Sequence, residues 1–171
     1  MVKAAIKVLS DVKISTAINQ LPVSNLEKKR FSYFFNDKLT GLYNEDYLKI
    51  ILNNLDLNQY TCMHMLHLLN VPEYNKHHGW DKGNLLLKEF AGELLACFPQ
   101  TLTFRAYGND FAFISKGHLD VAAEAFSTFK CIAHTELEIE VHHVDLTAGK
   151  AYTIDKLERL ELLTVDELEK R

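Results

Sequence analysis

The sequence has too few cysteines for a disulfide-stabilised protein and too little basic charge for a nucleic-acid-binding protein. Its three cysteines are far apart and odd in number, which argues against a disulfide framework. The net charge of −4 provides no basic stripe of the kind that binds nucleic acid. No apolar run approaches bilayer-spanning length, and lysines interrupt the first residues too early for a secretory signal peptide. We therefore expect a cytoplasmic protein with reduced thiols that binds neither nucleic acid nor membrane.

The composition is that of a globular domain. Apolar residues make up 47% of the chain and charged residues 25%, a balance typical of soluble proteins. The 171 residues suffice for one domain with a substantial core and are too few for two of ordinary size. The sequence contains no internal repeat and no low-complexity segment. We divide it into a helical linker or signalling segment over residues 1–36 and a folded domain over residues 37–171.

A β-hairpin is predicted near the middle of the chain, over residues 101–115. Apolar and polar residues alternate up to Tyr107, and a nearly continuous apolar run follows Asp110. Gly108 and Asn109 lie between the two runs, and both residue types tolerate the positive φ angles of a tight turn. The hairpin would therefore present Tyr107, Asn109 and Asp110 at its tip.

Helical and strand patterns alternate along the rest of the chain. Apolar periodicity and capping residues predict helices over 2–20, 25–35, 45–55, 82–98, 119–133, 155–163 and 165–171, and strands over 61–69 and 138–152. The aromatic cluster within residues 31–35 is too apolar to be exposed alone, so it either packs on the domain or contacts another chain. The order β-α-β-β-α-β predicts a ferredoxin-like α+β fold with helices on one face of the sheet.

Five short segments resemble, in order and spacing, the motifs of GGDEF domains, the diguanylate cyclases that condense two GTP molecules into cyclic di-GMP. They are DKLTGLYN at 37–44, NKHHGWDKGN at 75–84, RAYGNDF at 105–111, TAGKA at 147–151 and LLTVD at 162–166. The resemblance covers the chain from about Asp37 onward. It implies the nucleotidyl cyclase palm type of the ferredoxin-like fold, with helices around a central, mainly antiparallel sheet.

The resemblance also locates the candidate metal site. On the first strand the family's metal-binding Asp position falls on His67, and the next alternate acid falls on Leu69. A neutral imidazole is a poor ligand for Mg²⁺ and leucine is none. The hairpin signature consists here of Tyr107, Gly108, Asn109, Asp110 and Phe111. Its only carboxylate is Asp110, so we assign no catalytic residue. A residual cation, Mg²⁺ if a nucleotide binds, would depend on Asp110 and His67.

The candidate nucleotide-binding residues implied by the resemblance are Asn75, Asn84, Gly108 and Arg105. Asn75 matches the family's guanine-binding Asn. Its partnering Asp is replaced by Asn84, which cannot accept hydrogen bonds from both guanine donors as a carboxylate does. Arg105 could meet a phosphate, although an Arg on a strand more often pairs with a surface carboxylate. The family's inhibitory product site would need Arg and Asp where this chain has Phe98 and Thr101, so that site is absent.

The spacing of the histidines does not predict a zinc site. His64 and His67 lie an odd number of residues apart on one strand and therefore point to opposite faces. The adjacent pairs at 77–78 and 142–143 lack the i, i+4 spacing of helical zinc ligands. We expect His67 to be a hydrogen-bonded histidine of the core or cleft.

These substitutions predict a catalytically degenerate GGDEF-like domain that acts as a regulatory or interaction module in cyclic di-GMP signalling. Two alternatives stay open: an allosteric domain that binds GTP or another guanine nucleotide, and a weak cyclase that uses Asp110 with an unusual metal. The resemblance implies a neighbouring sensor or phosphodiesterase (EAL) domain in a longer parent chain. Active cyclases need two facing domains, so the weak-cyclase alternative also implies a homodimer, formed through the helix around residues 31–35.

Overall fold

A five-stranded sheet organises the part of the chain that the computed structural model describes, residues 25–54 and 59–147. The elements are α1 (Asn25–Phe35), β1 (Tyr43–Asn44), α2 (Glu45–Leu52), β2 (Cys62–Leu68), α3 (Val71–His78), α4 (Trp80–Cys97), β3 (Leu102–Tyr107), β4 (Asp110–Ser115), a 3₁₀ turn (Ala123–Phe126), α5 (Lys130–Ala133) and β5 (Ile139–Asp145). None of the helices in these ranges combines the length and apolarity required to cross a membrane. The helices predicted over 2–20, 155–163 and 165–171 lie outside the described residues.

The strand order across the sheet is β1-β3-β4-β2-β5. Strand β2 pairs antiparallel with β4 on one side and with β5 on the other, while β3 and β4 form the predicted hairpin. Only the two-residue strand β1, which the sequence pattern did not predict, runs parallel to its neighbour β3. Without β1 this is the ferredoxin-like arrangement, so the predicted α+β fold with a mainly antiparallel sheet is confirmed.

Helices cover both faces of the sheet, and the expectation of helices on one face was wrong. Every residue of β2 is buried, as are the four consecutive residues 111–114 of β4. Because successive side chains of a strand point to opposite faces, such runs leave apolar groups on both sides that must be covered. The core accordingly has two parts. One contains α1 and α2 residues, and the other contains residues of α3, α4 and the segment before β5.

The amino-terminal elements form as the sequence predicts. Helix α1 has the predicted bounds, and α2 begins after Asn44, whose side-chain oxygen accepts a hydrogen bond of 3.1 Å from the backbone N–H of Tyr47. The rings of Phe31 and Phe35 pack against Tyr47, with centroids 5.2 and 5.6 Å away. The aromatic cluster therefore packs on the domain, although Tyr33 on the outer side of α1 is 68% exposed.

The long helix predicted over residues 119–133 was wrong, because this segment contains only the 3₁₀ turn and α5. Phe126 ends the 3₁₀ turn and Phe129 precedes α5, and both rings are buried in the core beside Phe90. The Glu93 carboxylate on α4 accepts a hydrogen bond of 2.9 Å from the backbone N–H of Lys130, the first residue of α5. A tertiary contact therefore starts a new helix where periodicity alone predicted a continuous one.

Candidate functional site

The end of β2 and the start of β4 bring His67 and Asp110 together. The two residues are directly opposite each other in the strand pairing, and His67 Nδ1 lies 3.0 Å from Asp110 Oδ1. His67 is 7% exposed, and its ring also lies against that of His142 on β5, with 5.2 Å between centroids. The expected hydrogen-bonded cleft histidine is therefore present. The only carboxylate of the hairpin signature is engaged with it.

The tip of the hairpin is hydrogen-bonded to the end of β2. Tyr107 pairs with Asp110 across a two-residue turn in which Gly108 has a φ of +50°, a conformation that glycine adopts without strain. The Asn109 side-chain amide donates a hydrogen bond to the backbone carbonyl of Leu68. Asn109 thus holds the tip in place, while the Tyr107 side chain at the tip is 69% exposed.

Arg105 forms an ion pair with Asp37, from the loop between α1 and β1. Its guanidinium lies 3.2 Å from Asp37 Oδ1 and also donates two hydrogen bonds to the carbonyl of Gly108. Burial opposes ionisation of Asp37, but hydrogen bonds from the Thr40 hydroxyl and amide and the charge of Arg105 outweigh it and lower the pKa of this carboxyl group below its usual 3.8. Both residues belong to the family-like motifs, but their separation of 68 positions hid the pairing from sequence reasoning.

A cleft of about 380 Å³ lies beside the hairpin on the Asp37 side. It is lined by Asp37, Asn44, Glu45, Asp46, Arg105, Ala106, Tyr107 and Gly108. Arg105 and Gly108 are the two predicted nucleotide-binding residues in this lining, which also contains three carboxylates. Asn75 and Asn84, the other two predicted nucleotide-binding residues, do not line this cleft.

Asn75 packs against the start of α4. A Cβ atom placed on Gly83 would lie only 1.7 Å from Asn75 Oδ1, so the missing side chain of Gly83 makes room for this oxygen. Oδ1 is buried and has no hydrogen-bond partner among the described residues. A buried acceptor without a donor costs free energy, so a ligand or a turn of the amide would stabilise this position. Asn84, the other half of the predicted guanine pair, is half-buried on α4.

The donor set at the predicted cation site does not fit Mg²⁺. This ion demands near-octahedral oxygen coordination and usually takes one or two carboxylates together with substrate phosphates. The three positions offer the imidazole of His67, the alkyl side chain of Leu69 and a carboxylate, Asp110, that already bonds with the imidazole. These side chains alone therefore do not form a magnesium site.

Phe98 and Thr101 occupy the two positions where the resemblance would place the Arg and Asp of the inhibitory product site. The ring of Phe98 stacks on Phe113 with 4.6 Å between centroids. The Thr101 hydroxyl donates a hydrogen bond of 2.8 Å to the Phe98 carbonyl. Neither residue carries a charge that could recognise a phosphate.

Comparison with known proteins adds an independent line of observation. A family model described as diguanylate cyclase, GGDEF domain, matches residues 34–162. None of the curated proteins compared with the chain matches it. Among solved structures, the GGDEF domain of DgcB from Caulobacter crescentus in complex with c-di-GMP has a TM-score of 0.60 at 15% identity, covering 75% of this chain and 84% of that one.

Two further structures show the same similarity. Diguanylate cyclase SiaD from Pseudomonas aeruginosa, in complex with its activator SiaC, has a TM-score of 0.60 at 18% identity, covering 98% of this chain and 70% of that one. The S helix-GGDEF-EAL structure of Vibrio cholerae LapD, bound to c-di-GMP, has a TM-score of 0.63 at 15% identity; the match covers 84% of this chain and 36% of that one. At such identities these structures show that the fold is shared.

Proposed function

The chain belongs to the GGDEF family of diguanylate cyclase domains, and we propose that it is a catalytically degenerate member, a regulatory or interaction module in cyclic di-GMP signalling. The observation that carries this proposal is the hydrogen bond between His67 and Asp110. Joining two GTP molecules requires a 3′-hydroxyl made nucleophilic and a triphosphate held by hard cations. Here His67 stands in place of one metal-binding acid, and its imidazole forms a hydrogen bond with the remaining carboxylate, that of Asp110.

The hairpin supports the same proposal. Asn109 stands at the third signature position, and its side-chain amide donates a hydrogen bond to the Leu68 carbonyl. Because a carboxamide is neutral, it can neither accept a proton as a base nor carry negative charge. Tyr107 replaces the first glycine of the signature, and its exposed phenol adds bulk where glycine would let a substrate approach the backbone. The tip thus keeps the shape of the hairpin but lacks the acid of the third signature position.

The experiment is product analysis by chromatography after incubation with GTP and Mg²⁺. We expect the wild-type chain to form no more cyclic di-GMP than an Asp110→Ala control. A His67→Asp/Leu69→Asp/Asn109→Glu variant restores the missing carboxylates. Its cyclic di-GMP formation is compared with that of the wild type to detect any gain in synthesis. Synthesis by the wild-type chain at an ordinary enzymatic rate, abolished by Asp110→Ala, would overturn the proposal and favour the weak-cyclase alternative.

The regulatory part of the proposal requires a neighbour, either a sensor domain or an EAL phosphodiesterase domain; an EAL segment follows GGDEF in the LapD structure. In a parent chain of that kind, deleting residues 37–171 should change the rate of the neighbouring enzyme, and an unchanged rate would contradict a regulatory role. We also propose a cytoplasmic location, which the three free cysteines support.

A second candidate function is allosteric binding of a guanine nucleotide. It is favoured by the buried Asn75 Oδ1, an acceptor with no donor in ranges 25–54 and 59–147, which a guanine N–H could satisfy once the amide turns outward. Calorimetric titration with GTP and with ATP tests it. Heat with GTP alone, lost in Asn75→Ala, would support this candidate; no heat with GTP at high concentration would eliminate it.

A further inference from the structure

A second polar cluster lies at the other end of β2, on the opposite face from His67. Cys62 and His64 follow one another on that face, and His143 of β5 is the cross-strand partner of His64. Cys62 and His64 are buried, whereas His143 is exposed to solvent. Along β2, Cys62 and His64 lie five and three residues from His67, which is on the order of 10 to 15 Å of extended strand.

The ligand atoms of the three side chains converge on one point. Cys62 Sγ lies 3.6 Å from His143 Nδ1 and 3.7 Å from His64 Nδ1, and His143 Nδ1 lies 3.4 Å from His64 Nε2. The 3.7 and 3.4 Å separations involve different nitrogens of His64, and when one ligand atom is taken from each residue, all three lie within 4.8 Å of one another. In a tetrahedral zinc site, the usual bond lengths place a sulfur and a nitrogen about 3.6 Å apart and two nitrogens about 3.4 Å apart.

We propose that Cys62, His64 and His143 bind a single transition-metal ion of the zinc type. The thiolate and the two imidazoles are the ligands that Zn²⁺ prefers. The 3.6 Å between Cys62 Sγ and His143 Nδ1 already equals a tetrahedral edge, and one His64 nitrogen lies within 4.8 Å of both atoms. Binding releases the thiol proton of Cys62 and requires both imidazoles to be neutral.

The surroundings hold the cluster in place and leave it an entrance. The His64 ring stacks on Phe113 of β4, with 4.7 Å between centroids and 16° between planes, which fixes its orientation. On the outer side, the His118 ring lies edge-on against His143, 5.4 Å between centroids. Solvent reaches the cluster at the exposed His143, so an ion has a path of entry. The fourth tetrahedral position would fall to a water molecule or to His118.

The bound ion would fasten β5 to β2. Two ligands belong to β2 and the third to β5, the neighbouring strand at the edge of the described sheet, so the ion adds a cross-link between the two strands. A ligand that binds only the folded state stabilises that state in proportion to its affinity and concentration. The inference does not rest on the proposed function, because it involves neither GTP nor the hairpin tip.

The test uses the tag-free chain, stripped of metal with a chelator and then titrated with Zn²⁺ and with Co²⁺. We expect one equivalent of Zn²⁺ bound per chain, a higher melting temperature with Zn²⁺, and a Co²⁺ spectrum with the bands of tetrahedral coordination and thiolate charge transfer. His143→Ala should weaken binding by at least about 100-fold, since losing a ligand exceeds the effect of losing a second-shell partner. Cys62→Ser should abolish the charge-transfer band.

Matched controls separate this site from other histidines and cysteines. His142→Ala changes the adjacent histidine of β5, which faces His67, and Cys97→Ser changes an exposed thiol elsewhere. Both variants should bind Zn²⁺ like the wild type. Because Cys62 is buried, its variant could fail to fold. The deciding measurement is therefore Zn²⁺ binding by the His143→Ala variant, whose folding is checked by circular dichroism. No Zn²⁺ uptake by the wild type, or uptake unchanged in folded His143→Ala, would overturn the proposal.

Discussion

His67 and Asp110 are bound to each other across the β2–β4 pairing, Nδ1 to Oδ1 at 3.0 Å. Each stands at a position where the family resemblance would place an acid that holds a cation. The two side chains instead bond with each other, and the only hard donor of the pair, the Asp110 carboxylate, is already engaged with the imidazole. The catalytic proposal and the first prediction both depend on this contact.

Asp110→Ala should destabilise the fold by about 1–3 kcal/mol, because it removes the carboxylate that bonds with the buried imidazole of His67. Urea denaturation followed by circular dichroism measures the loss. Glu124→Ala, at an exposed carboxylate, is the control and should change stability by no more than about 0.5 kcal/mol. Equal effects of the two substitutions would show that the His67–Asp110 bond contributes nothing to stability.

Asp37→Asn should destabilise the protein in a pH-dependent way. The pKa of Asp37 in the folded state is below its usual 3.8. Its ionised form therefore contributes stability that is fully present above 3.8 and is lost as the pH falls through the folded-state value. The free-energy difference from wild type should be about 1–3 kcal/mol near neutral pH and should shrink below about pH 3.8.

Urea denaturation at several pH values checks the prediction for Asp37. Asp81→Asn, at an exposed residue in the first turn of α4, is the control, with an expected cost below about 1 kcal/mol. A difference between wild type and Asp37→Asn that stays constant down to about pH 3 would mean that ionisation of Asp37 does not govern the effect.

Gly83→Ala tests how firmly Asn75 is held. The new methyl group would lie 1.7 Å from Asn75 Oδ1 and must displace that side chain. Because the displaced oxygen has no hydrogen-bond partner among the described residues, its displacement should cost little, and the better helix propensity of alanine should stabilise the fold by up to about 1 kcal/mol.

Gly92→Ala is the matched control for Gly83→Ala, since it lies in the same helix and a Cβ there meets nothing within 4 Å. The two variants should have similar melting temperatures. A Gly83→Ala variant that is less stable than Gly92→Ala by more than about 1 kcal/mol would show that Asn75 is fixed in its observed position.

Native alkylation should distinguish the cysteines. Cys131 is buried, and this burial, together with the hydrogen bond and charge of Glu93, raises the pKa of its thiol to about 12. Only the thiolate reacts, so Cys131 should be alkylated at least about 100-fold more slowly than the exposed Cys97. Mass spectrometry of digested protein gives the two rates. Equal labelling in the folded protein would contradict the burial of Cys131.

Much of the fold was predictable from the sequence because it follows from local periodicity. The bounds of α1, the cap at Asn44 and the hairpin with its turn at Gly108 and Asn109 all follow from residue types within a few positions of one another. The helix predicted over 119–133 failed because Glu93, distant in sequence, starts α5 at Lys130.

The sequence by itself determined the family and the residues that differ from its motifs, since both are properties of order along the chain. Only the tertiary structure decided which of those residues touch. His67 lies 43 positions from Asp110, Arg105 lies 68 from Asp37, and Cys62 lies 81 from His143. Antiparallel pairing and loop packing join side chains at separations that no periodic pattern records, so these contacts become visible only once the sheet is assembled.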